Sequence, residues 1–545
     1  MRPGAEGTER GGERRAFSRD WLSWPLHHVL IAAYPILYLV SINVGEVDVR
    51  EALIPLGVSI GAALALFAVL VLVGVAARRA ALVVSIVAVG VLMYGHVATA
   101  LEPTGLSGTP LLVGWIVLAL VGIGAVALWR SDLRRVTGWL NVGSGLLVAF
   151  TLVGVGATLV TNPPTIVGGQ GIDLPSPTAG SGDPSAPQRD IYYFILDGYG
   201  SPRSLEQYLD VPDGGLTDWL ESAGFDVLRE TRSNYARTPL SLSSSLNMTY
   251  LDEVAERYGP DNPHHGPLEE MVKTNAVAQF LRERGYRYVL LGNQYYLTAR
   301  SPIADVNPQF AQTSDFMGVL TESTILPSVA RLAGFEDDLT DRRRIYDAAV
   351  WQHETLPELS ELPGPKFVFM HSFLPHEPWI VDENGQYVSA EADAERTPLE
   401  QHRAQWAYVD REMRRLIEGL LAGPPETDPI IIISPDHGPR PEGIRQVGPN
   451  IDWTAATDAH LDQAFSIFSA YYLPGIEDTS CLYDGMSSVN SFRLVFDLYF
   501  DAGLPLLPDR SVIHRDREHP YDLTDITDRL PELGRGSDTE TECHP

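Results

Sequence analysis

Five long stretches without Asp, Glu, Lys or Arg lie within the first 160 residues, and they constrain the fold of this chain more than any other feature. Each stretch is long enough to cross the roughly 30 Å hydrocarbon core of a bilayer as a helix. We therefore predict five transmembrane helices within residues 22–160, preceded by a cytoplasmic tail at residues 1–21. The stretches are Leu22–Gly45, Leu53–Ala77, Ala80–Leu101, Gly105–Trp129 and Leu140–Val160.

The short connections between these stretches alternate in charge. Arg78 and Arg79 follow the second stretch, whereas Glu46 and Asp48 follow the first. Because positively charged connections stay in the cytoplasm, this pattern predicts a multi-pass protein of the plasma membrane whose remainder lies on the extracellular or periplasmic face. A cleaved signal peptide is the competing interpretation of the first stretch, but four more apolar stretches follow it.

The charge of the chain is uneven. Residues 1–160 carry 11 Arg and 9 Asp or Glu, a net of +2, so the total of −30 leaves −32 for the rest. An exported part this acidic would repel a phosphate backbone, which argues against nucleic-acid binding. The only two cysteines, Cys481 and Cys543, are too few for a disulfide scaffold or a zinc finger. Whether they pair is open, and we expect neither to be catalytic.

Residues 161–189 are rich in Pro, Gly and Ser and predict an extended linker. An α/β domain is predicted at residues 190–530, followed by a disordered tail at 531–545. Short apolar runs alternate there with helix-like stretches, which indicates a mainly parallel sheet sandwiched by helices. The predicted strands are 191–196, 286–291, 366–370, 429–434 and 464–473, and the predicted helices include 216–223, 269–284 and 401–421.

Acidic and imidazole side chains follow three of these predicted strands. Asp197 follows the first, His371 and then His376 follow the strand at 366–370, and Asp436-His437 follow the strand at 429–434. Taken singly, each is compatible with a turn residue or a loop histidine. Since reactive groups collect at the carboxyl ends of strands in open α/β sheets, the group as a whole predicts one divalent metal site.

A nucleophile is predicted at Thr238. It precedes Pro239 and an apolar, helix-like run, so it also reads as the N-cap of a helix. A hydroxyl at a helix N-terminus lies in a positive potential, and a cation would activate it further. Arg237 beside it could bind a tetrahedral oxyanion or form a surface salt bridge. Rival hydroxyls are Ser241 and the serines at 243–245.

Together these motifs resemble the sulfatase-like branch of the alkaline phosphatase superfamily. The resemblance rests on FILDGYG around Asp197, a Thr before a helix, HEPW around His376, and SPDHG around Asp436 and His437. Apolar helices followed by an exported domain are similar to lipoteichoic acid synthases and lipid A phosphoethanolamine transferases. The resemblance implies an alkaline phosphatase-like domain and an enzyme of the hydrolase or transferase kind.

The resemblance also implies roles for individual residues. Asp197, Asp436 and His437 would bind the metal (Mn, Zn or Mg) with the hydroxyl of Thr238, which would form a covalent phosphothreonine. His376, His371 and Arg237 would contact the substrate. The formylglycine signature CxPSR is absent, which disfavours sulfate-ester hydrolysis. His460 offers no convincing ligand for a second metal, so one ion is expected.

Three functions remain in view from the sequence. The first is a transferase that moves a phosphorylated head group, such as phosphoglycerol or phosphoethanolamine, from a phospholipid donor to an exported glycan or lipid acceptor. The second is a membrane-anchored phosphodiesterase or phosphatase that uses water as the acceptor. The third is a non-catalytic membrane scaffold, against which the presence of all four predicted metal-binding residues argues.

Overall fold

The computed structural model describes residues 24–43, 49–101, 104, 106, 108–161, 188–212, 215–310, 315–333, 341–441 and 451–533. The predicted N-terminal tail, most of the predicted linker and tail, and Cys543 lie outside these residues. The chain divides into two compact units. The first contains the described residues up to Ile42, those of Val49–Ala157, and the segment Ser323–Val329, while the second contains the others.

The first unit is built from apolar helices. Within the described residues, three of them are long and apolar enough to cross a membrane, or four if one pair with a 51° bend is counted as a single span. The first helix has 16 residues, a length of about 24 Å, which is shorter than a bilayer crossing. The described residues therefore support a multi-helix apolar region but do not confirm the predicted count of five. The helices are α1 His27–Ile42, α2 Leu53–Leu72, α3 Ala77–Leu92, α4 Tyr94–Leu101, α5 Gly108–Leu128 and α6 Arg134–Thr161.

Polar side chains of α3 and α6 form hydrogen bonds with the beginning of α1. Asn141 of α6 accepts hydrogen bonds from the amides of Leu26 (3.1 Å) and His27 (2.8 Å) at the start of α1. These amides have no partner within their own helix. The ring of His27 is in turn bonded to the hydroxyl of Ser85 of α3 (2.8 Å). Side chains of two other helices thus satisfy the beginning of α1.

The second unit is organised around a six-stranded sheet. Its strand order is β2-β6-β5-β1-β4-β3. Strands β5, β1, β4 and β3 run parallel, whereas β6 is antiparallel to β5 and β2 is antiparallel to β6. The strands are β1 Ile191–Leu196, β2 Asp226–Arg232, β3 Arg287–Leu291, β4 Lys366–Ser372, β5 Ile430–Ile433 and β6 Ser466–Tyr472.

Both faces of this sheet are buried, as predicted. Alternate residues of β1 point into separate cores, with Tyr192 and Phe194 on one side and Tyr193 and Ile195 on the other. The sheet is mixed rather than mainly parallel at one edge, because β6 reverses direction and carries β2 outside it. A small antiparallel pair, β7 Val512–His514 and β8 Leu523–Asp525, lies apart from the main sheet.

Helices of the second unit connect and cover the strands. The predicted helices at 216–223 and 401–421 are present with small shifts in their ends, whereas the predicted helix at 269–284 is two helices. The α-helices are α7 Pro202–Leu209, α8 Leu216–Ser222, α9 Thr238–Ser245, α10 Asp252–Tyr258, α11 Gly266–Lys273, α12 Ala276–Glu283, α13 Tyr296–Ala299, α14 Asp315–Ser323, α15 Leu326–Leu332 (of which the first residues belong to the first unit), α16 Asp341–Ser360, α17 Ala390–Ala394, α18 Pro398–Leu420, α19 Asp458–Phe465 and α20 Ser491–Phe500.

Candidate active site

The carboxyl ends of β1, β4 and β5 meet at one edge of the sheet. The three strands are parallel neighbours with β1 in the middle. Asp197 follows the last residue of β1 directly, and His371 in β4 is the register partner of Ile195. Asp436 comes three residues after Ile433, where β5 ends. Parallel pairing therefore brings residues from distant parts of the chain to one point.

Asp197, Asp436, His437 and Thr238 form a tight buried group. The Nε2 atom of His437 lies 3.4 Å from Asp197 Oδ1, 3.5 Å from Asp436 Oδ2 and 3.5 Å from the hydroxyl of Thr238. At most 7% of each residue's surface is exposed. These are the four residues that the resemblance to the alkaline phosphatase superfamily implies as metal ligands.

The imidazole rings present nitrogen lone pairs to this group. The Nδ1 atom of His437 lies 2.9 Å from the carbonyl of Gly438. Because a carbonyl only accepts hydrogen bonds, Nδ1 carries a proton, and in the neutral ring Nε2 then carries a lone pair. That lone pair faces the carboxylates of Asp197 and Asp436. All of these atoms accept hydrogen bonds, and none of them donates one to another.

His371 lies beside the same carboxylates. Its Nε2 atom is 3.5 Å from Asp197 Oδ2. Ligand atoms of Asp197, His371 and Asp436 all lie within 4.8 Å of one another. His371 Nε2, Asp197 Oδ1 and Asp436 Oδ2 are buried without a hydrogen-bond partner, although such atoms normally have one. A divalent cation satisfies this arrangement, since carboxylate oxygens and neutral imidazoles are its usual ligands.

Two residues that the sequence analysis missed hold the ring of His371. Its Nδ1 atom lies 2.9 Å from the hydroxyl of Thr298, and that hydroxyl donates to Oδ1 of Asn293 (3.1 Å). The Thr298 oxygen is thus left to accept the Nδ1 proton. Both residues follow β3, at the same edge of the sheet, so the rule applied to the other strands would have found Asn293.

Thr238 opens helix α9. The N-cap is Arg237 and Thr238 is the first helical residue, one position later than its predicted role as N-cap. Ser241 donates a 2.6 Å hydrogen bond to the carbonyl of Asp436, which ties the helix to the loop after β5. The rival hydroxyls of Ser243 and Ser244 donate hydrogen bonds to the carbonyls of Leu268 and Thr249. Both hydroxyls therefore have structural partners.

His376 lies beside this group and Arg440 lies close to His376. The ring of His376 lies 6.2 Å from that of His437, and its Nδ1 is 2.6 Å from the carbonyl of Glu377. Arg237 precedes Thr238 in the chain. Arg440, missed in the sequence analysis, lies three residues after His437 and forms an ion pair with Glu377 at 3.6 Å.

The electrostatics of the site favour an ionised Asp197. Burial alone would raise the pKa of this carboxyl, but His376, His371 and His437, in their protonated forms, lower it by more. The pKa of Asp197 therefore lies well below its ordinary value. Burial lowers the pKa of His376, although Asp197 opposes this effect.

Comparisons with known proteins give similarity at the level of structure only. No family model matches the sequence, and no curated protein matches it. The C-terminal periplasmic domain of EcEptC from Escherichia coli is 13% identical, with a TM-score of 0.42, covering 68% of this chain and 100% of that one. The integral membrane protein lipooligosaccharide phosphoethanolamine transferase A (EptA) from Neisseria meningitidis is 13% identical, with a TM-score of 0.37, covering 88% and 95%.

A third similar structure is the phosphonate monoester hydrolase of Agrobacterium radiobacter. It is 14% identical, with a TM-score of 0.37, covering 59% of this chain and 75% of that one. By name, two of these three proteins are thus a phosphoethanolamine transferase and a phosphonate monoester hydrolase. No residue role in this chain follows from likenesses of this size.

Proposed function

We propose that this chain is a metal-dependent membrane transferase. It moves a phosphorylated head group, of the phosphoglycerol or phosphoethanolamine type, from a lipid donor to an exported glycan or lipid acceptor. One observation carries the proposal: two carboxylates and two imidazoles are buried together at one edge of the sheet, and the ring of His437 lies 3.5 Å from the Thr238 hydroxyl at the start of a helix.

Asp197, Asp436 and His437 are the residues proposed to hold one divalent ion together with Thr238. His371 joins them as a further ligand, a change from the substrate contact that the sequence suggested. When bound, such an ion acts as a Lewis acid and lowers the pKa of a coordinated hydroxyl. The ligand set suits Mn, Zn or Mg.

In the first step the Thr238 oxygen attacks the phosphorus of the donor. The bond from phosphorus to the diacylglycerol oxygen breaks, and a phosphothreonine diester forms. His376 is the proposed proton carrier, because donation of its Nδ1 proton to the Glu377 carbonyl leaves Nε2 with a lone pair. It takes the Thr238 proton and passes it to the diacylglycerol oxygen.

In the second step a hydroxyl of the acceptor attacks the same phosphorus. The bond to the Thr238 oxygen breaks, the acceptor proton passes through His376 to Thr238, and the enzyme is regenerated. Arg237 and Arg440 offset the negative charge of the transferred group. Apolar helices long enough to cross a membrane support a lipid donor, since a chain anchored by them would meet that donor in the bilayer.

The test uses the full-length protein in liposomes that contain phosphatidylglycerol or phosphatidylethanolamine. Diacylglycerol release is measured with and without a candidate acceptor, and trapped protein is analysed by mass spectrometry for a head group on Thr238. Thr238→Ala should abolish release, whereas Ser243→Ala, in the same helix, should not affect the chemistry. Full activity of Thr238→Ala would contradict the mechanism. Release that does not depend on an acceptor would favour the hydrolase, with water in the second step.

A further inference from the structure

The first unit contains a break between two apolar helices, α3 and α4. A segment from much later in the chain, Ser323–Val329, forms a hydrogen bond at this break. Helices α3 and α4 are bent by 51° relative to each other. Such a break removes intrahelical hydrogen bonds, and within a bilayer the freed carbonyls need other partners. The amide of Ile325 donates to the carbonyl of Val91 (2.8 Å), and the indole of Trp115 donates to the carbonyl of Gly90 (2.9 Å).

The side chain of Ile325 also packs within the first unit. It contacts a small buried cluster that includes Tyr94, Leu111 and Leu112. By its contacts the whole segment Ser323–Val329 belongs to this unit, although it lies between β3 and β4 in the sequence. Two separate parts of the sequence, the N-terminal helices and this short segment, thus form the apolar unit.

The outward side of this segment is apolar. Helix α15 begins at Leu326, where 50% of the residue surface is exposed, and Val329 is 42% exposed. These residues are three apart and share one helix face. Large apolar side chains next to membrane-length helices match the boundary between lipid head groups and acyl chains.

We propose that residues 323–329 form a membrane-embedded element that caps the broken helix and presents Leu326 and Val329 to lipid acyl chains. The occupant of this face is the bilayer itself, because the segment is continuous with the apolar helices that are long enough to span it. The proposal does not depend on catalysis.

The experiment is photolabelling of the unaltered full-length protein in phosphatidylcholine liposomes that carry a diazirine acyl chain. Labelled residues are located by mass spectrometry. Phe150 of α6, which is 77% exposed, is the positive reference, and the exposed face of α18 around Glu418 is the negative one. Labelling at Leu326 or Val329 comparable to that at Phe150 is the expected result. Labelling no higher than in α18 would overturn the proposal.

A pair of variants adds a second readout. Leu326→Asp places a charge on the outward face, whereas Leu326→Met preserves the apolar character. We expect Leu326→Asp to reduce labelling of the segment severalfold while Phe150 stays labelled, and Leu326→Met to match the unaltered protein. Equal labelling of the segment in both variants would also count against lipid contact.

Discussion

The Nδ1 atom of His371 lies 2.9 Å from the hydroxyl of Thr298, a residue 73 positions earlier in the chain. This contact directs the Nε2 lone pair of His371 towards Asp197. Histidine ligands of metals commonly carry such an orienting partner on the opposite nitrogen. Thr298 is therefore a positioning residue in the proposed metal site, and the contact makes the assignment of His371 testable.

Thr298→Val should weaken metal binding about 10- to 100-fold, the usual effect of losing an orienting partner. Valine has nearly the same shape but cannot accept the Nδ1 proton. Competition with a chelator of known affinity measures the change, and Thr298→Ser, which keeps a hydroxyl, is the matched control. Unchanged affinity in Thr298→Val would contradict the positioning role of Thr298.

Asp436→Asn should lose the bound metal while the domain remains folded. The amide oxygen can still accept from the amides of Gly198 and His437, as Oδ1 does now, but the negative charge at Oδ2 disappears. Elemental analysis of the purified full-length protein checks this. Asp410→Asn is the control, because that buried carboxylate accepts from Tyr199 instead and should leave the metal content unchanged. Equal metal loss in both variants would contradict a specific site.

Gly438→Ala should destabilise the protein by about 2 kcal/mol or more, as overpacking usually does. A Cβ atom there would lie 2.3 Å from the carbonyl oxygen of Gln463 and 2.9 Å from that of Ser466. Gly419→Ala is the control, because nothing lies within 4 Å of its Cβ position. In helix α18 that change should be neutral or stabilising. The midpoint of thermal unfolding in detergent distinguishes the two, and an unchanged midpoint for Gly438→Ala would contradict the packing argument.

Stability should fall as the pH is lowered from about 6.5 to about 4, in part because of His353. Burial lowers the pKa of this histidine to about 4 from the ordinary 6.5. Between these values the unfolded chain binds a proton that the folded protein does not, so acid favours unfolding. The full effect of this shift is roughly 3 kcal/mol. His353→Gln, which does not titrate, should show a smaller decrease in unfolding temperature over this range, and identical pH profiles would contradict the assignment.

Several elements followed from local patterns alone. Strand β1 has the predicted bounds, and β3, β4 and β5 differ from their predictions only at the ends. Strand β2 was missed because polar and charged residues interrupt its alternation. In the folded sheet its register also shifts between Leu228 and Thr231. The run that forms β6 was found, but an apolar run does not encode direction, so its antiparallel pairing was not predicted.

Charge-free apolar stretches, strand-end carboxylates and a threonine before a proline are local features, and they sufficed to predict apolar helices, a sheet buried on both faces and the candidate residues. Only the tertiary structure determined which polar atoms lie next to one another. It grouped His371 with two carboxylates through Thr298, and it drew Ile325 into the apolar unit at the carbonyl of Val91. Such contacts join residues far apart in the chain, and no local pattern records the partner that a buried polar atom finds only after folding.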